Sequence, residues 1–237
     1  MRNILTIARK EWQNYLTTPT GYIFAGLMIL VVNWMFLSDL FLLGQADLKN
    51  YWSLVVFLFS IFIPAISMGL LADEKKNSTW EMLLSLPINE NELVLGKLLG
   101  SMVYIFAVTL LSLPMVATIL LMGKPDPGLI AGGYVGTLLL GFSYLSVGLF
   151  MSSLSSSAIV GFLGSSVFLI INNLFGQDTI LSRVPDFLKV ILTNLSLYYR
   201  SSKFSAGLID LNDLIFFISW IAVFSILTVL VLKTRDK

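Results

Sequence analysis

Apolar residues run along this chain in six long stretches, separated by segments that hold nearly all of its charged residues. A membrane-spanning helix needs about 20 mostly apolar residues, because each adds about 1.5 Å and the hydrocarbon layer is about 30 Å thick. The pattern predicts an all-α integral membrane protein whose residues 1–237 form one transmembrane domain. The six predicted spanning helices are 21–43, 51–71, 98–122, 129–151, 158–175 and 214–232.

Composition supports this prediction and excludes several classes of function. The chain is 57% hydrophobic and 12% charged, whereas soluble domains have about 25% charged residues. It contains neither Cys nor His, so disulfides, thiolate nucleophiles and imidazole metal sites are excluded. No P-loop pattern is present to bind a nucleotide. We therefore predict no catalytic residue, no metal site and no enzyme activity in this chain, and its near-neutral charge does not favour nucleic acid as a partner.

The distribution of Lys and Arg predicts the orientation. These residues concentrate in cytoplasmic loops of membrane proteins. With the N-terminus inside, the inner segments hold nine of them and the two short outer loops hold two, although the long segment 176–213 adds four more outside. Six spans then put both termini in the cytoplasm.

The first residues, 1–19, predict an amphipathic helix before the first span. Ile4, Leu5, Ala8, Trp12 and Tyr15 share one side of a helical wheel, and the polar residues of this segment lie opposite. Such a helix suits the membrane interface, with Trp12 and Tyr15 at the level of the headgroups. The alternative interpretation is a simple membrane-anchoring flank.

The inner segment 72–97 contains two helix-start signals. Ser78-Thr79-Trp80-Glu81 is a capping box that opens a short apolar helix, which Pro87 ends. Asn89 then precedes the third span as a second cap. An apolar helix outside the membrane must be covered by the membrane surface, by the chain's own helix ends or by a soluble partner, and its charged rim fits a partner best.

The outer segment 176–213 predicts further short helices before the last span. Pro185 can open a helix that is apolar enough for the interface but too short to span. This re-entrant or interfacial helix is either an outer gate over an exit path or a lid that packs the helix ends. Asp210 and Asn212 offer caps for the last span.

The predicted spans contain almost no titratable residue, with Asp39 as their one charged side chain. Transporters driven by protons or sodium usually carry such residues inside the membrane. Energy for uphill transport would therefore have to come from outside the membrane. Pro64 and Pro114 mark kinks or close helix contacts within the spans.

Several of these segments resemble the permeases of type-2 ATP-binding-cassette (ABC) exporters, most closely the gliding-motility-type branch. The opening from Lys10-Glu11-Trp12 to Pro19 is similar to the start of that family. The most specific match is the inner segment from Asp73-Glu74 through Ser78-Thr79-Trp80-Glu81 and Leu83-Leu84 to Pro87, closed by Gly96-Lys97. Ser78 stands where the family commonly has Gly.

The resemblance implies that the short inner helix is a coupling helix that docks on a separate cytoplasmic ABC ATPase dimer. ATP and Mg²⁺ would then be bound by that partner and no cofactor by this chain. It also implies a second permease half, identical or different, and a location in the bacterial cytoplasmic membrane. The implied docking residues are Glu74, Ser78, Thr79, Trp80, Glu81, Leu83, Leu84 and Pro87, and the implied elbow residues are Arg9, Lys10, Glu11, Trp12 and Tyr15.

A passive channel, a lipid scramblase or a membrane scaffold would also explain spans without charge. The apolar walls are compatible with a lipid, a peptide, a polysaccharide or an assembly factor as substrate.

Overall fold

The computed structural model describes residues 2–43, 48–76, 89–122 and 126–235. Within these ranges the regular structure is helical, without a strand. The helices are α1 (Arg2–Thr17), α2 (Pro19–Leu43), α3 (Leu48–Ser67), α4 (Gly69–Lys76), α5 (Glu90–Leu110), α6 (Leu113–Met122), α7 (Pro127–Leu154), α8 (Ala158–Leu174), α9 (Asp178–Leu181), α10 (Asp186–Leu195), α11 (Leu197–Ser205) and α12 (Leu211–Arg235).

Five helical segments in the described residues are long and apolar enough to cross a membrane. They coincide with five of the six predicted spans, which makes the chain a multi-pass membrane protein. The segments are Pro19–Ser38, Asn50–Lys76, Glu90–Leu120, Pro127–Leu154 and Leu211–Thr234.

The remaining predicted span, 158–175, corresponds to the shorter helix α8. This helix has 17 residues and is therefore about 26 Å long, at about 1.5 Å per residue. At one end of the helix bundle it follows Ser153, whose carbonyl accepts a hydrogen bond from Lys75. Near its other end, Asn172 binds Leu195 and Leu197. The helix thus connects the two ends of the bundle, and six spans remain the prediction.

We name the two ends of the bundle after buried charged residues. The Lys97 end contains α1, the end of α4, the starts of α5 and α8, and the end of α12. The Asp213 end contains the short helices α9 to α11 and the start of α12. Asn91 and Lys233 line one groove at the Lys97 end. The helix α1 and the C-terminal end of α12 therefore lie at the same end of the bundle.

The second and third predicted spans each contain a break and a proline. Pro64 lies inside α3, which ends at Ser67 before α4 begins at Gly69. Pro114 lies in the first turn of α6, just after the helix breaks at Leu111 and Ser112. A proline removes one amide donor and its ring clashes with the carbonyl four residues earlier. This accounts for the break before Pro114, whereas the break at Met68 lies four residues after Pro64.

The core of the bundle is built around α7. This helix packs against α3, α4, α5, α8, α11 and α12. Its buried face contains small residues that allow close approach. At Gly133, for example, the indole of Trp52 occupies the space where a Cβ would lie. Such contacts hold membrane helices together by shape, since lipid tails provide no hydrophobic driving force between helices.

Apolar side chains also cover the outside of the bundle. In α2, Tyr22, Leu30 and Trp34 are largely exposed, and in α12 so are Ile215 and Ile226. In a membrane these surfaces face lipid or another membrane subunit. The short helix α10 has an exposed apolar face as well and contains no buried residue.

Candidate functional site

Most of the predicted docking residues lie outside the described part of the chain, which omits 77–88. Those residues are Ser78, Thr79, Trp80, Glu81, Leu83, Leu84 and Pro87. The structure describes both stems of this segment. The first stem is α4, which contains Glu74 and ends at Lys76, and the second is the start of α5 at Glu90. Asn89 is the N-cap residue of α5, but its side chain makes no cap hydrogen bond.

The first stem is fixed to the end of α7 by Ser152. The amides of Leu71 and Ala72 both donate to Ser152 Oγ at 3.1 Å. The Ser152 hydroxyl in turn donates to the carbonyl of Met68 at 2.7 Å, where α3 breaks before α4. Helix breaks leave backbone groups without helical partners. Ser152 therefore satisfies the backbone at this break and ties the start of α4 to the end of α7.

The end of α4 has a second contact with α7. Lys75 Nζ donates to the carbonyl of Ser153, one of the last carbonyls of α7. A cation at a helix C-terminus is stabilised by the negative end of the helix dipole. Lys75, the last residue but one of α4, is thus held by α7.

Glu74 is held by Lys97, a buried cation on α5. The Lys97 side chain is 6% exposed, and its Nζ lies 2.7 Å from Glu74 Oε1 and 3.5 Å from Glu11 Oε2. A buried ammonium group is stable only when anions and hydrogen bonds replace its water. One nitrogen therefore joins three helices at this point: α1 through Glu11, α4 through Glu74 and its own α5.

The helix α1 packs along the start of α5. Gly96 and Gly100 form the contact, since a Cβ at Gly96 would lie 2.7 Å from Ile7 Cβ and one at Gly100 would lie 2.6 Å from the carbonyl oxygen of Ala8. These two glycines are one helical turn apart on the same face, the spacing that lets two membrane helices approach closely. Asn3 Nδ2 adds a hydrogen bond of 3.0 Å to Glu92 Oε2.

Tyr15 fastens the end of α1 to α5. Its ring stacks on Tyr104 with a centroid separation of 4.4 Å, and its hydroxyl lies 3.1 Å from Ser101 Oγ. Burial raises the pKa of Tyr15 far above its usual value, so the hydroxyl keeps its proton and can donate. The sequence pattern puts Tyr15 at the headgroups, whereas the structure buries it inside the protein.

The other predicted elbow residues divide between solvent and protein. Arg9 and Lys10 are exposed, Trp12 packs partly buried against the core, and Glu11 faces Lys97. The polar side of α1 thus supplies an ion-pair partner to α5, which the helical wheel alone does not reveal.

A cleft of about 700 Å³ separates α1 and the start of α2 from the α3–α4 break. Both signs of charge and several hydroxyl and amide groups line it, so it can bind a polar group through donors and acceptors alike. Polar residues on its walls include Lys10, Asn14, Thr18, Asp73, Glu74 and Lys97.

The Asp213 end contains the second group of buried charges. Asp213 is 1% exposed and pairs with Arg200 and with Lys203, whose Nζ lies 3.2 Å from its carboxylate. Arg200 also lies 4.1 Å above the ring of Phe216 and donates through Nε to the carbonyl of Asn194. The pairs fix α11 and the end of α10 to the start of α12.

Asn172 completes the connection of α10 and α11 to the bundle. Its side chain donates to the carbonyl of Leu195 at 3.1 Å and accepts from the amide of Leu197 at 3.0 Å. Ser196 Oγ donates to the carbonyl of Asn172 at 3.2 Å. These bonds satisfy the turn between α10 and α11, while the apolar face of α10 stays exposed.

Comparison with known protein families decides the class of this protein. A family model described as ABC-2 family transporter protein matches residues 5–237, nearly the whole chain. The chain belongs to this family. A search of curated proteins found no match. As an ABC-2 permease, the chain is the membrane component of an ABC transporter, and family membership implies an ABC ATPase as its partner.

Two structural residues of the ABC-2 permease were not predicted from sequence. Ser152 begins the serine-rich stretch 152–157, and nothing in that stretch of sequence indicates a contact with α4. Lys97 closes the Gly96-Lys97 motif, and a lysine beside an apolar run indicates a paired or interfacial cation. Its partners Glu11 and Glu74 are distant in sequence and are found only in the structure.

Proposed function

We propose that this protein is the permease subunit of an ABC exporter, in which a separate ATPase drives substrate out across the cytoplasmic membrane. The ATPase binds ATP and Mg²⁺, and this chain binds neither. The docking site on this chain is the segment from Glu74 to Pro87, and its contact residues are Trp80, Leu83 and Leu84.

The observation that carries this proposal is the anchoring of both stems of segment 77–88. The first stem is fixed to α7 through Ser152 and Lys75, and to α5 through Glu74 and Lys97. A segment that only linked two spans would not need its stems fixed to the bundle. Fixed stems suit a segment that transmits force from a docked partner to the spans.

The remaining features fit the same assignment. The mostly exposed surfaces of α2 and α12 leave room for a second permease half, identical or different, beside lipid. The helix α10 lies at the outer interface, where its apolar face meets lipid. Residues 1–237 act as one permease domain, with 1–19 as elbow, 72–97 as the docking loop and 176–213 outside. The bacterial cytoplasmic membrane and the gliding-motility-type branch stay assignments from sequence resemblance.

The test replaces Trp80, Leu83 and Leu84 together with Asp. An apolar docking surface loses its contact with a partner when three buried anions would have to be desolvated. We expect the triple variant to insert into the membrane at native levels but to lose the ATPase that co-purifies with the native chain from its own host.

A matched control replaces Leu208, Ile209 and Leu211 with Asp. These residues are exposed at the Asp213 end, so the control adds the same charge away from the docking segment and should retain the ATPase. Co-purification of the ATPase with the Trp80, Leu83 and Leu84 variant at the native level would contradict the proposal.

A further inference from the structure

We infer that Lys97 is a positioning residue that makes α1, α4 and α5 move as one unit, so that displacement of the docking segment is passed to the elbow helix and from there to α2. The inference rests on the proposed function for its source of force. The coupling of the three helices is a property of the permease alone.

Lys97 lies where the two stems of the docking segment and the elbow helix meet. It is on the second stem, α5, two helical turns after Glu90. Its pair with Glu74 at 2.7 Å reaches the first stem, two residues before that stem ends. Its pair with Glu11 at 3.5 Å reaches the elbow helix. A shift of the first stem therefore moves Glu74, and a shift of the second stem moves Lys97 itself.

The ion pairs also lie on the wall of the cleft. Glu11, Glu74 and Lys97 all line the space that separates α1 from the end of α3 and the start of α4. Across that cleft, packing alone cannot join α1 to α4. Between α1 and α5 the glycine contact already provides close packing, so the specific contribution of Lys97 is to include α4 in the unit.

Charge makes this arrangement stiff. Two carboxylates face one ammonium group that is almost completely shielded from water. Without the cation, both anions would remain at short range in a poorly solvated place, and like charges there repel strongly. Loss of Lys97 thus does more than remove an attraction, because it drives α1 and α4 apart.

Pairs of spin labels can measure this effect in the permease alone. The chain has no Cys, so Gln13→Cys on α1 and Lys76→Cys at the end of α4, both exposed, introduce the only labelling sites. In lipid nanodiscs we expect a narrow distance distribution for the native background. In Lys97→Met it should broaden and move to longer distances.

Two further variants separate this role from a general effect on folding. The charge-reversed variant Glu11→Lys, Glu74→Lys, Lys97→Glu recreates both pairs and should restore the narrow distribution. Lys10→Met removes an exposed lysine of α1 and should leave the distance distribution unchanged. A Lys97→Met distribution that superimposes on the native one would overturn the inference.

A second measurement adds the ATPase that co-purifies with the native chain, trapped with ATP and vanadate. The Gln13 label should then move relative to a label at Lys189→Cys near the Asp213 end in the native background, but not in Lys97→Met. Equal movement in both would overturn the role of Lys97. Absence of any bound ATPase would contradict the proposed function instead, and the measurement on the permease alone would still decide the coupling of the three helices.

Discussion

Ser152 shows how one hydroxyl group can fix the start of one helix to the end of another. It accepts from the amides of Leu71 and Ala72 and donates to the carbonyl of Met68. Each of these groups lies at a helix break inside the bundle, where water cannot replace a lost partner. A serine in this position therefore stabilises the break in the second span and ties the first stem to α7.

Replacing Ser152 with Ala should destabilise the protein. A buried backbone group that loses its partner costs about 1–3 kcal/mol, and two amides share this oxygen. We expect a lower midpoint of thermal unfolding in detergent. Ser219→Ala is the matched control, because that exposed hydroxyl bonds the Phe216 carbonyl within its own helix. Equal midpoints for the two variants would show that Ser152 is not needed at the kink.

The contacts of individual residues are the part of the structure that the sequence predicts least well. The helical wheel predicts the apolar side of α1, yet it cannot show that Tyr15 stacks on Tyr104 or that Glu11 faces Lys97. These contacts join residues more than 80 positions apart. Periodicity within one segment contains no information about such pairs, since it reports only which face of a helix is apolar.

Among the elements, the pairing of α1 with α5 is the contact most sensitive to side-chain size. A Cβ at Gly100 would lie 2.6 Å from the Ala8 carbonyl oxygen and 2.7 Å from Glu11 Cβ. The first of these is a backbone atom, so the clash cannot be relieved by a change of rotamer. The helix α1 as a whole must move to accommodate a larger residue.

The variant Gly100→Leu should therefore displace α1 from α5. Ile7, which packs against Gly96, is the reporter: as Ile7→Cys it should react with a maleimide about tenfold faster, which corresponds to about 1.4 kcal/mol of lost docking free energy. Gly26→Leu provides the control, because open space surrounds Gly26. If both glycine variants leave the reaction rate unchanged, α1 is not held by the glycine contact.

Elements were predicted more successfully than contacts, for a physical reason. A span must be apolar along its whole length, because lipid cannot satisfy polar groups. Each span is therefore recognisable as one continuous apolar stretch of sequence. The break before Pro114 is similarly local, since proline acts on its own turn. The contact that ties α4 to α7 was not predicted, because it depends on Ser152, which lies 80 residues away from Ala72.

At the scale of the whole molecule, the buried charges lie at opposite ends of the bundle. Lys97 with Glu11 and Glu74 occupies one end, and Asp213 with Arg200 and Lys203 occupies the other. Between them the described spans are joined by small residues, hydroxyls, amides and aromatic rings. This distribution is what a membrane requires, since a charge near either headgroup region avoids most of the cost at the centre of the bilayer.

The predicted orientation can be tested with single cysteines in intact cells. Lys76→Cys and Lys233→Cys, both at the Lys97 end, should react with a membrane-impermeant maleimide only after the cells are permeabilised. Lys189→Cys on α10 should react without permeabilisation, because the five predicted crossings that precede α10 leave it outside when the N-terminus is inside. Reaction of Lys233→Cys in intact cells would contradict six spans with both termini inside.

The central position of α7 has a consequence for synthesis in the membrane. Three of its partners, α3, α4 and α5, precede it in the chain, and three others, α8, α11 and α12, follow it. The first spans are therefore synthesised before the surface that they pack against exists. Trp52, for example, is synthesised before Gly133, against which its indole packs. Assembly of this protein is timed by the arrival of its fourth span, so a truncated chain that stops before Pro127 should be a substrate for membrane quality control.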